Sequence, residues 1–412
     1  MKRDLLPVAR ALKRNLRAGI WNDVPDPRDR RGVRHPLASL LSVLTLGMIA
    51  NMPTLRDLER LVQRLTARGA LGIQGTPSDT TLYNLARQLE PTHLRPVVVD
   101  QVKAMERNKQ LEQAIDFPFS LVAVDGKALG TDPEQVHPES HRTKANGTYC
   151  YVLKALRAVH VSSAVKPVLD QRLIPKGKGE RHDLWSFLVG LRQSYGRLVG
   201  CLSFDAGFWS ENLVMSLDSC FWPYIIALKG NAGAAHRYAL RALGEGQAEP
   251  PMGWELETRE TRNGQVIVRQ LARIHDDLGT CGAVTCAWRQ RTQVFRGDKQ
   301  VSEDNRYFAT NLSLEQVTAR QALAAIRAHW GIENDSNWTM DAILKEDSTA
   351  WVAQERGREV LTWLRILAYN LLRLLRCRTL RAARRATLPW RAVVEEVRDA
   401  LLRPDLWRSG FS

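Results

Sequence analysis

Two apolar runs in the middle of the chain each lead into an aspartate. The first, FSLVAVDGKAL, carries Asp125, and the second, LVGCLSFDAGF, carries Asp205. A continuous apolar run that ends at a polar residue is typical of a strand buried on both faces of a sheet. We therefore expect each aspartate at the end of a buried strand, which limits the chain to folds that contain such a sheet.

The segments around these two runs predict an alternation of strands and helices. TYCYVLKALRAVHV and KPVLDQRLIP have the composition of strands, and RHDLWSFLVGLRQS that of an amphipathic helix. After Asp205 the pattern predicts a helix from Glu211 and then a strand in FWPYIIALKGN. This succession predicts an α/β fold with a mixed sheet.

The first part of the chain, to about residue 118, is predicted to be mostly helical. An apolar helix is expected from Leu37, and a helix over 80–90 that Ser78 or Asp79 caps by accepting from free amides of its first turn. We expect Arg87 on the outward face of that second helix. Two interpretations remain open for this region, a DNA-reading helix-turn-helix and an ordinary helical bundle.

Changes of pattern divide the chain into five parts. WELETRETRNGQVIVRQLARIHD alternates like a hairpin around Asn263-Gly264, which predicts a β-rich insertion within the α/β core. The predicted parts are a helical N-terminal DNA-binding domain (1–118), the first part of the core (119–245), the β-rich insertion (246–313), core helices (314–380) and a basic C-terminal tail (381–412).

The charge of the chain is concentrated at its two ends. The net charge is +15; residues 1–120 and 351–412 each contribute +7, and residues 121–350 only +1. A polyanionic partner, most simply nucleic acid, explains this distribution. A coding bias towards arginine explains it equally well, since 46 of the 59 basic residues are arginines.

Cysteine spacing and the apolar stretches indicate a cytoplasmic protein. The six cysteines have no regular spacing, which argues against a zinc site and favours a reducing compartment. The N-terminus lacks the apolar core of a signal peptide. The longest apolar stretch, 36–52, is too short and too polar to span a bilayer, so we expect a buried helix there.

Paired carboxylates are the sharpest chemical feature of the sequence. Aspartates at the ends of strands in one sheet can converge, and their oxygens suit Mg²⁺ or Mn²⁺. A solvated turn or a helix cap is the alternative for either aspartate. A third carboxylate would complete a two-metal site, and the candidate is Glu333, because the apolar Trp330 and Ile332 flank it. Spacing alone does not exclude the other nearby candidates, Asp335, Asp341, Glu346 and Asp347.

Six segments in their order along the chain resemble one family. They are DVPDPRDRRGVRHPL, TPSDTTLYNLARQL, VAVDGKAL, SFDAGF, ALKGN and RAHWGIENDSNWTMDAILKED. Together they are similar to the ISAs-type insertion-sequence transposases, also called H-repeat-associated proteins, of the DDE superfamily. The resemblance extends over nearly the whole chain. It implies an RNase H-like catalytic core in which Asp125, Asp205 and Glu333 are catalytic and hold two Mg²⁺ or Mn²⁺ ions.

The resemblance also implies a reaction and its partners. Such an enzyme cleaves double-stranded DNA at the terminal inverted repeats of its element and transfers the ends to target DNA, as a homodimer assembled on DNA in the nucleoid of a bacterial cytoplasm. The expected DNA contacts are Lys127, Lys229, Asn231, Arg327, His329 and, from the N-terminal helices, Arg87. Ile326 and His329 stand where relatives often have Tyr and Arg. Two alternatives remain: a DNA-binding protein that has lost catalysis, and a structure-specific nuclease.

Overall fold

A mixed sheet forms the centre of the protein. The computed structural model describes residues 5–16, 18–145, 147–280, 282–347, 351–379 and 388–407. Its strands are β1 (Leu121–Asp132), β2 (His141–Ala145), β3 (Thr148–His160), β4 (Val168–Leu173), β5 (Cys201–Phe204), β6 (Tyr224–Leu228), β7 (Leu256–Arg262), β8 (Gln265–His275), β9 (Cys286–Arg296) and β10 (Lys299–Thr310).

The strand order confirms the predicted α/β fold. The strands follow the order β2-β3-β1-β5-β6-β10-β9-β8-β7, and β4 pairs with β3 beside this path. β3 runs antiparallel to its two neighbours, β1 and β4. On the other side of β1, β5 runs parallel to β1, and β6 runs parallel to β5. The order β4-β3-β1-β5-β6 with these directions is the RNase H-like arrangement that the resemblance implies.

The prediction that the first strand ends at Asp125 is wrong. β1 continues seven residues further, to Asp132, because the long strand β3 pairs with it from Val122 to Asp132, with a register shift after Ala128. The neighbouring strand β5 ends at Phe204. Asp125 therefore lies inside β1, at the point where the pairing of β1 with β5 stops, whereas Asp205 follows the end of its strand as predicted.

The predicted hairpin around Asn263-Gly264 is confirmed. It joins β7 to β8, and both turn residues have positive φ, 52° and 72°. A two-residue type I′ turn requires this conformation, which Asn and Gly adopt at little cost. At the other end of the segment β10 pairs antiparallel with β6, so the strands of the predicted insertion extend the core sheet.

Helices cover the sheet and build the N-terminal region. None of the helices in the described ranges combines the length and apolar content needed to cross a membrane. The α-helices of these ranges are α1 (Leu6–Asn15), α2 (Leu37–Ile49), α3 (Leu55–Arg64), α4 (Asp79–Gln88), α5 (Arg95–Arg107), α6 (Leu184–Tyr195), α7 (Glu211–Ser219), α8 (Gly233–Leu243), α9 (Ala319–His329), α10 (Trp338–Ala342), α11 (Glu355–Leu374) and α12 (Trp390–Leu402).

The N-terminal helices form where the sequence predicts them. α2 begins at Leu37, and α4 begins after Ser78, whose hydroxyl accepts a hydrogen bond from the amide of Thr81 at 3.2 Å. Such an N-cap contributes about 1 kcal/mol to the stability of a helix. The sequence also predicts a last long helix over 349–378. Thr349 lies outside the described residues, and α11 begins at Glu355.

Helix α11 connects the N-terminal helices to the sheet. From Val360 to Leu374 it is buried on all sides, including its polar residues Arg365, Asn370 and Arg373. Asn370 on α11 accepts a hydrogen bond from the amide of Val168 in β4 and donates to its carbonyl and to the side chain of Gln101 in α5. The N-terminal helices and the sheet therefore share one hydrophobic core.

The predicted C-terminal tail contains a helix. Within 381–412, α12 places Val393, Val397 and Leu401 in the core, and it packs against α1. The arginine-dense stretch 380–387 lies outside the described residues. The apolar residues of α12 recur at helical spacing, a signal that the high arginine content of the surrounding sequence obscured.

Candidate active site

Asp125 and Asp205 lie on neighbouring strands at the same level. In the parallel pairing of β1 and β5 the last partners are Val124 and Phe204, and each aspartate is the next residue. Adjacent strands are about 4.8 Å apart. The register therefore brings the two aspartates side by side at the end of this pairing, as the sequence analysis expected of carboxylates in one sheet.

The two carboxylates have different surroundings. Asp125 is half-buried, and its Oδ1 accepts a hydrogen bond from the amide of Gly126 at 2.8 Å. Asp205 precedes a short 3₁₀ turn, Ala206–Phe208, and its side chain is 40% exposed. The site is therefore open to solvent on the side of Asp205.

Glu333 lies in a π-helical turn, Ile332–Asn337, between α9 and α10. Turns of this kind are rare and are frequent at functional sites. The expectation that apolar groups surround this carboxylate is wrong: Ile332 is fully buried, but Glu333 is exposed. Successive residues of a helix point in different directions, so a buried neighbour leaves Glu333 free to face the solvent.

The charges of the carboxylates act on one another. The pKa of Asp125 is raised to about 7, mainly by burial, then by the negative charges of Glu333, Glu180 and Asp205. The pKa of Glu333 is also raised, by desolvation and by Asp205. Carboxylates that disfavour one another's ionisation form a set of hard oxygen donors, which suits a divalent cation such as Mg²⁺.

Three of the competing carboxylates near Glu333 are occupied by cationic partners. Asp335 pairs with Lys166 and Arg373, and Asp341 with Lys127. Glu346 makes a buried pair with Arg157 at 2.8 Å. A carboxylate whose charge is already offset is a poorer ligand for a cation. Glu333, whose charge acts on Asp125 and is influenced by Asp205, is therefore the better candidate.

A separate acidic cluster surrounds His137. Among the described residues, the group of three whose ligand atoms all lie within 4.8 Å of one another is His137, Glu355 and Glu359, and not the candidate triad. The His137 Nδ1 accepts a hydrogen bond from the amide of Glu139 at 3.1 Å, which places the ring proton on Nε2, 3.1 Å from Glu359 Oε1. A protonated Nε2 donates to Glu359 and is not available to a metal.

Two of the predicted DNA contacts lie beside Asp205. The side chain of Lys229 is 71% exposed, and its Nζ lies 3.9 Å from Asp205 Oδ1. The Asn231 amide donates to the carbonyl of Ala206 at 2.6 Å. Asn231 thus holds the loop that carries Lys229 against the turn after Asp205.

The predicted contacts on β1, α9 and α4 have other partners. Lys127 is 10% exposed and paired with Asp341. Arg327 on α9 is exposed, with its guanidinium 3.1 Å from Glu260 in β7. Arg87 is exposed on α4, with its guanidinium 5.4 Å from the centre of the Tyr83 ring.

His329 lies at the inner side of the same site. Its Nδ1 is 2.9 Å from the hydroxyl of Ser203, the residue two before Asp205. Burial lowers the pKa of His329 to about 4, although the charge of Asp205 acts in the opposite direction. The imidazole is therefore neutral near pH 7, and a contact to a DNA phosphate would be made by a neutral donor.

Glu180 is a further carboxylate near the site that was not among the residues predicted from the sequence. This half-buried residue lies in the loop between β4 and α6. Its carboxylate lies against Gly126, and its Oε2 is 3.6 Å from the position that a methyl group would take at Gly207. Burial and the charge of Asp205 raise its pKa, against the charge of Lys154. KGKGE is a polar loop without periodicity, so no sequence signal pointed to this glutamate.

A family model described as "Transposase DDE domain" matches residues 116–371. The chain belongs to the DDE transposase family. The matched range extends from just before β1 into α11 and includes Asp125, Asp205 and Glu333. It confirms the family that the six sequence segments indicated.

Individual relatives of this transposase are distant. Putative transposase YncI of Escherichia coli O157:H7 is 20% identical over 85% of each chain. The H repeat-associated putative transposase YhhI of E. coli strain K12 is 18% identical over 85% of this chain and 88% of its own. A piggyBac transposase synaptic complex with hairpin DNA has a TM-score of 0.44 and 11% identity, covering 97% of this chain and 78% of that one.

Proposed function

We propose that this transposase cleaves double-stranded DNA at the ends of an insertion sequence and joins those ends to target DNA. The observation that carries the proposal is the register of β1 and β5, which sets Asp125 beside Asp205. The position of Glu333, whose pKa is raised by desolvation and by the negative charge of Asp205, supports a shared site. The charged partners of Asp335, Asp341 and Glu346 favour Glu333 as the third carboxylate.

Asp125, Asp205 and Glu333 would hold two Mg²⁺ or Mn²⁺ ions. Bound ions of this kind stabilise negative charge on the attacking and leaving oxygens of a phosphodiester. The protein contributes a rigid strand pair for the two aspartates and a solvent-open side for DNA. Because a proton on Asp125 competes with a cation, we expect the site to favour neutral or higher pH.

Basic residues near the carboxylates would contact the DNA backbone. Lys229 is an exposed cation 3.9 Å from Asp205, and Asn231 fixes its loop. Arg327 is exposed on α9, while the charge of Lys127 is engaged by Asp341. Phosphate contacts of this kind give affinity without sequence preference.

The N-terminal helices would recognise the element ends. α4 is capped at Ser78 and exposes Thr80, Asn84 and Arg87 on one side, while Leu82 and Leu85 face the core. An exposed polar helix face within a region of net charge +7, residues 1–120, suits contact with a DNA groove. We propose that a homodimer assembles on two ends in the bacterial cytoplasm, in association with the nucleoid.

The test uses purified full-length protein, labelled element ends, a target plasmid and Mg²⁺. Joined products support the proposal, cleavage without joining supports a structure-specific nuclease, and binding alone supports a DNA-binding protein that has lost catalysis. Asp125→Asn should abolish cleavage and retain DNA binding. The matched control is Asp298→Asn, which removes an exposed carboxylate in the turn between β9 and β10; full cleavage by Asp125→Asn would refute the site assignment.

A further inference from the structure

Glu180 lies between the two segments that carry the catalytic aspartates. Its carboxylate reaches the backbone at Gly126, the residue after Asp125, and its Oε2 is 3.6 Å from the position that a methyl group would take at Gly207, two residues after Asp205. The loop of Glu180 is fixed to the second segment, because Arg181 donates a hydrogen bond to the carbonyl of Trp209 at 3.1 Å. The carboxylate is thus directed at the site by its own loop.

The glycine of the VDGK motif gives room for this carboxylate. A methyl group at Gly126 would overlap Glu180, and the three atoms nearest to it all belong to the Glu180 side chain. The backbone of Gly126 does not adopt the positive φ that would itself call for glycine. Glycine at this position therefore leaves room for the Glu180 carboxylate, which places a negative charge beside Asp125.

The position is electrostatically costly without a cation. Glu180 is half-buried and its charge acts on both Asp125 and Asp205. The positive charge of Lys154 on β3 partly offsets the negative charge of Glu180. Within the described ranges, the Glu180 carboxylate has no hydrogen bond or ion pair. Like charges brought together in a partly buried site destabilise the fold, and a bound cation is what offsets them.

We propose that Glu180 is a fourth carboxylate of the divalent-metal site formed by Asp125, Asp205 and Glu333. This inference rests on the proposed function, since it assigns Glu180 to the same site. Its ligand is a hard divalent cation, Mg²⁺ or Mn²⁺, which Glu180 contacts directly or through a coordinated water. Gly126 and the Arg181 anchor are the parts of the chain that position it.

The test measures binding of Mn²⁺ alone to the full-length protein, from the electron paramagnetic resonance signal of free Mn²⁺. Glu180→Gln should raise the dissociation constant about tenfold or more, the usual effect of removing a group that supports a metal ligand. Gly126→Ala should do the same, because its methyl group displaces a flexible side chain without obstructing the fold. The control is Gly179→Ala, which has nothing within 4 Å of the added methyl and should bind as the wild type does.

Asp125→Asn, measured in parallel, separates the two hypotheses. If Asp125→Asn loses Mn²⁺ while Glu180→Gln binds normally with an unchanged melting temperature, the assignment of Glu180 is wrong and the proposed function stands. If neither substitution changes Mn²⁺ binding, the metal site itself is refuted. Loss in both variants supports the fourth carboxylate, and loss in Glu180→Gln alone would place Glu180 in a different site and overturn the proposal.

Discussion

The guanidinium of Arg157 donates hydrogen bonds to both carboxylate oxygens of Glu346, at 2.8 and 3.0 Å, and both side chains are buried. Arg157 stands opposite Asp125 in the pairing of β1 with β3. Glu346 belongs to the chain segment that follows Glu333. The pair therefore joins the strand next to one candidate ligand to the segment that carries another.

Removing one partner of this pair should strongly destabilise the protein. Glu346→Gln leaves the buried Arg157 without a counter-charge. The charge of Glu346 also acts on a second buried cation, Arg365, which is repelled by Arg157. Breaking a buried ion pair in this way costs about 3–5 kcal/mol. Urea denaturation would measure the free energy of unfolding, and the control Asp298→Asn, at an exposed turn position, should change it by less than about 0.5 kcal/mol. A loss below about 1 kcal/mol for Glu346→Gln would contradict this account.

The sequence carried enough local information for most of the sheet. The apolar runs before Asp125 and Asp205 predicted two buried strands, and the turn residues Asn263-Gly264 predicted a hairpin. These signals are local, since apolar periodicity and turn geometry depend on residues a few positions apart. The extension of β1 beyond Asp125 was missed because pairing with β3, and not local propensity, produces it.

Contacts between distant residues could not be predicted in the same way. Arg157 and Glu346 are separated by 189 positions, and nothing in either local pattern indicates the other. The contact between Glu180 and Gly126 could not be predicted either, because only the folded loop brings the two residues together. The preference for Glu333 over Asp335 and Asp341 also depends on which carboxylates find a lysine or arginine in three dimensions.

Acid should destabilise the protein through His160. This buried imidazole contacts the hydroxyls of Ser120 and Ser163 at 2.7 and 3.0 Å, and burial lowers its pKa from 6.5 to about 4. A depressed pKa means that the folded state disfavours the protonated ring, so the stability present above pH 6.5 is lost as the pH falls towards 4. The loss amounts to about 3 kcal/mol for this group.

The comparison of wild type with His160→Gln isolates that contribution. Glutamine retains hydrogen-bonding capacity and does not titrate, so the variant should be less stable at pH 7.5 and lose less stability on acidification. Unfolding free energies at several pH values between 4 and 7.5 would show this. Parallel curves for the two proteins would mean that His160 is not the group responsible.

Asp125→Asn should stabilise the metal-free protein at high pH. The raised pKa of Asp125 means that the folded state favours the neutral carboxyl, so stability is lost as the pH rises from the ordinary value of 3.8 through about 7. Asparagine resembles the neutral form. In EDTA the variant should gain about 1–2 kcal/mol over wild type at pH 8, allowing for solvent screening at this half-buried site, and little at pH 4.

Thermal melting of both proteins in EDTA at pH 4, 6 and 8 would measure this difference. An advantage of Asp125→Asn that grows with pH is expected of a carboxylate held for function at the cost of stability. Asp298→Asn, in the exposed turn between β9 and β10, serves as the control, and its effect on the melting temperature should be small. An advantage that is equal at pH 4 and pH 8 would exclude titration of Asp125 as the cause.

Lys229 and Lys127 should differ in their effect on DNA binding. Lys229 is 71% exposed beside Asp205, whereas Lys127 is 10% exposed and engaged by Asp341. Lys229→Ala should weaken binding of end DNA roughly fivefold near 0.1 M salt and reduce the salt dependence by about one phosphate contact. Lys127→Ala should leave affinity nearly unchanged and lower the melting temperature, because Asp341 loses its partner.

Fluorescence anisotropy at several salt concentrations separates these outcomes. The slope of the logarithm of affinity against the logarithm of salt concentration counts phosphate contacts, so it falls for Lys229→Ala and stays constant for Lys127→Ala. Lys229→Arg should restore the slope, since it retains the charge. If both alanine variants reduced the slope equally, the pairing of Lys127 with Asp341 would have to open when DNA binds, and β1 would contribute a phosphate contact directly next to Asp125.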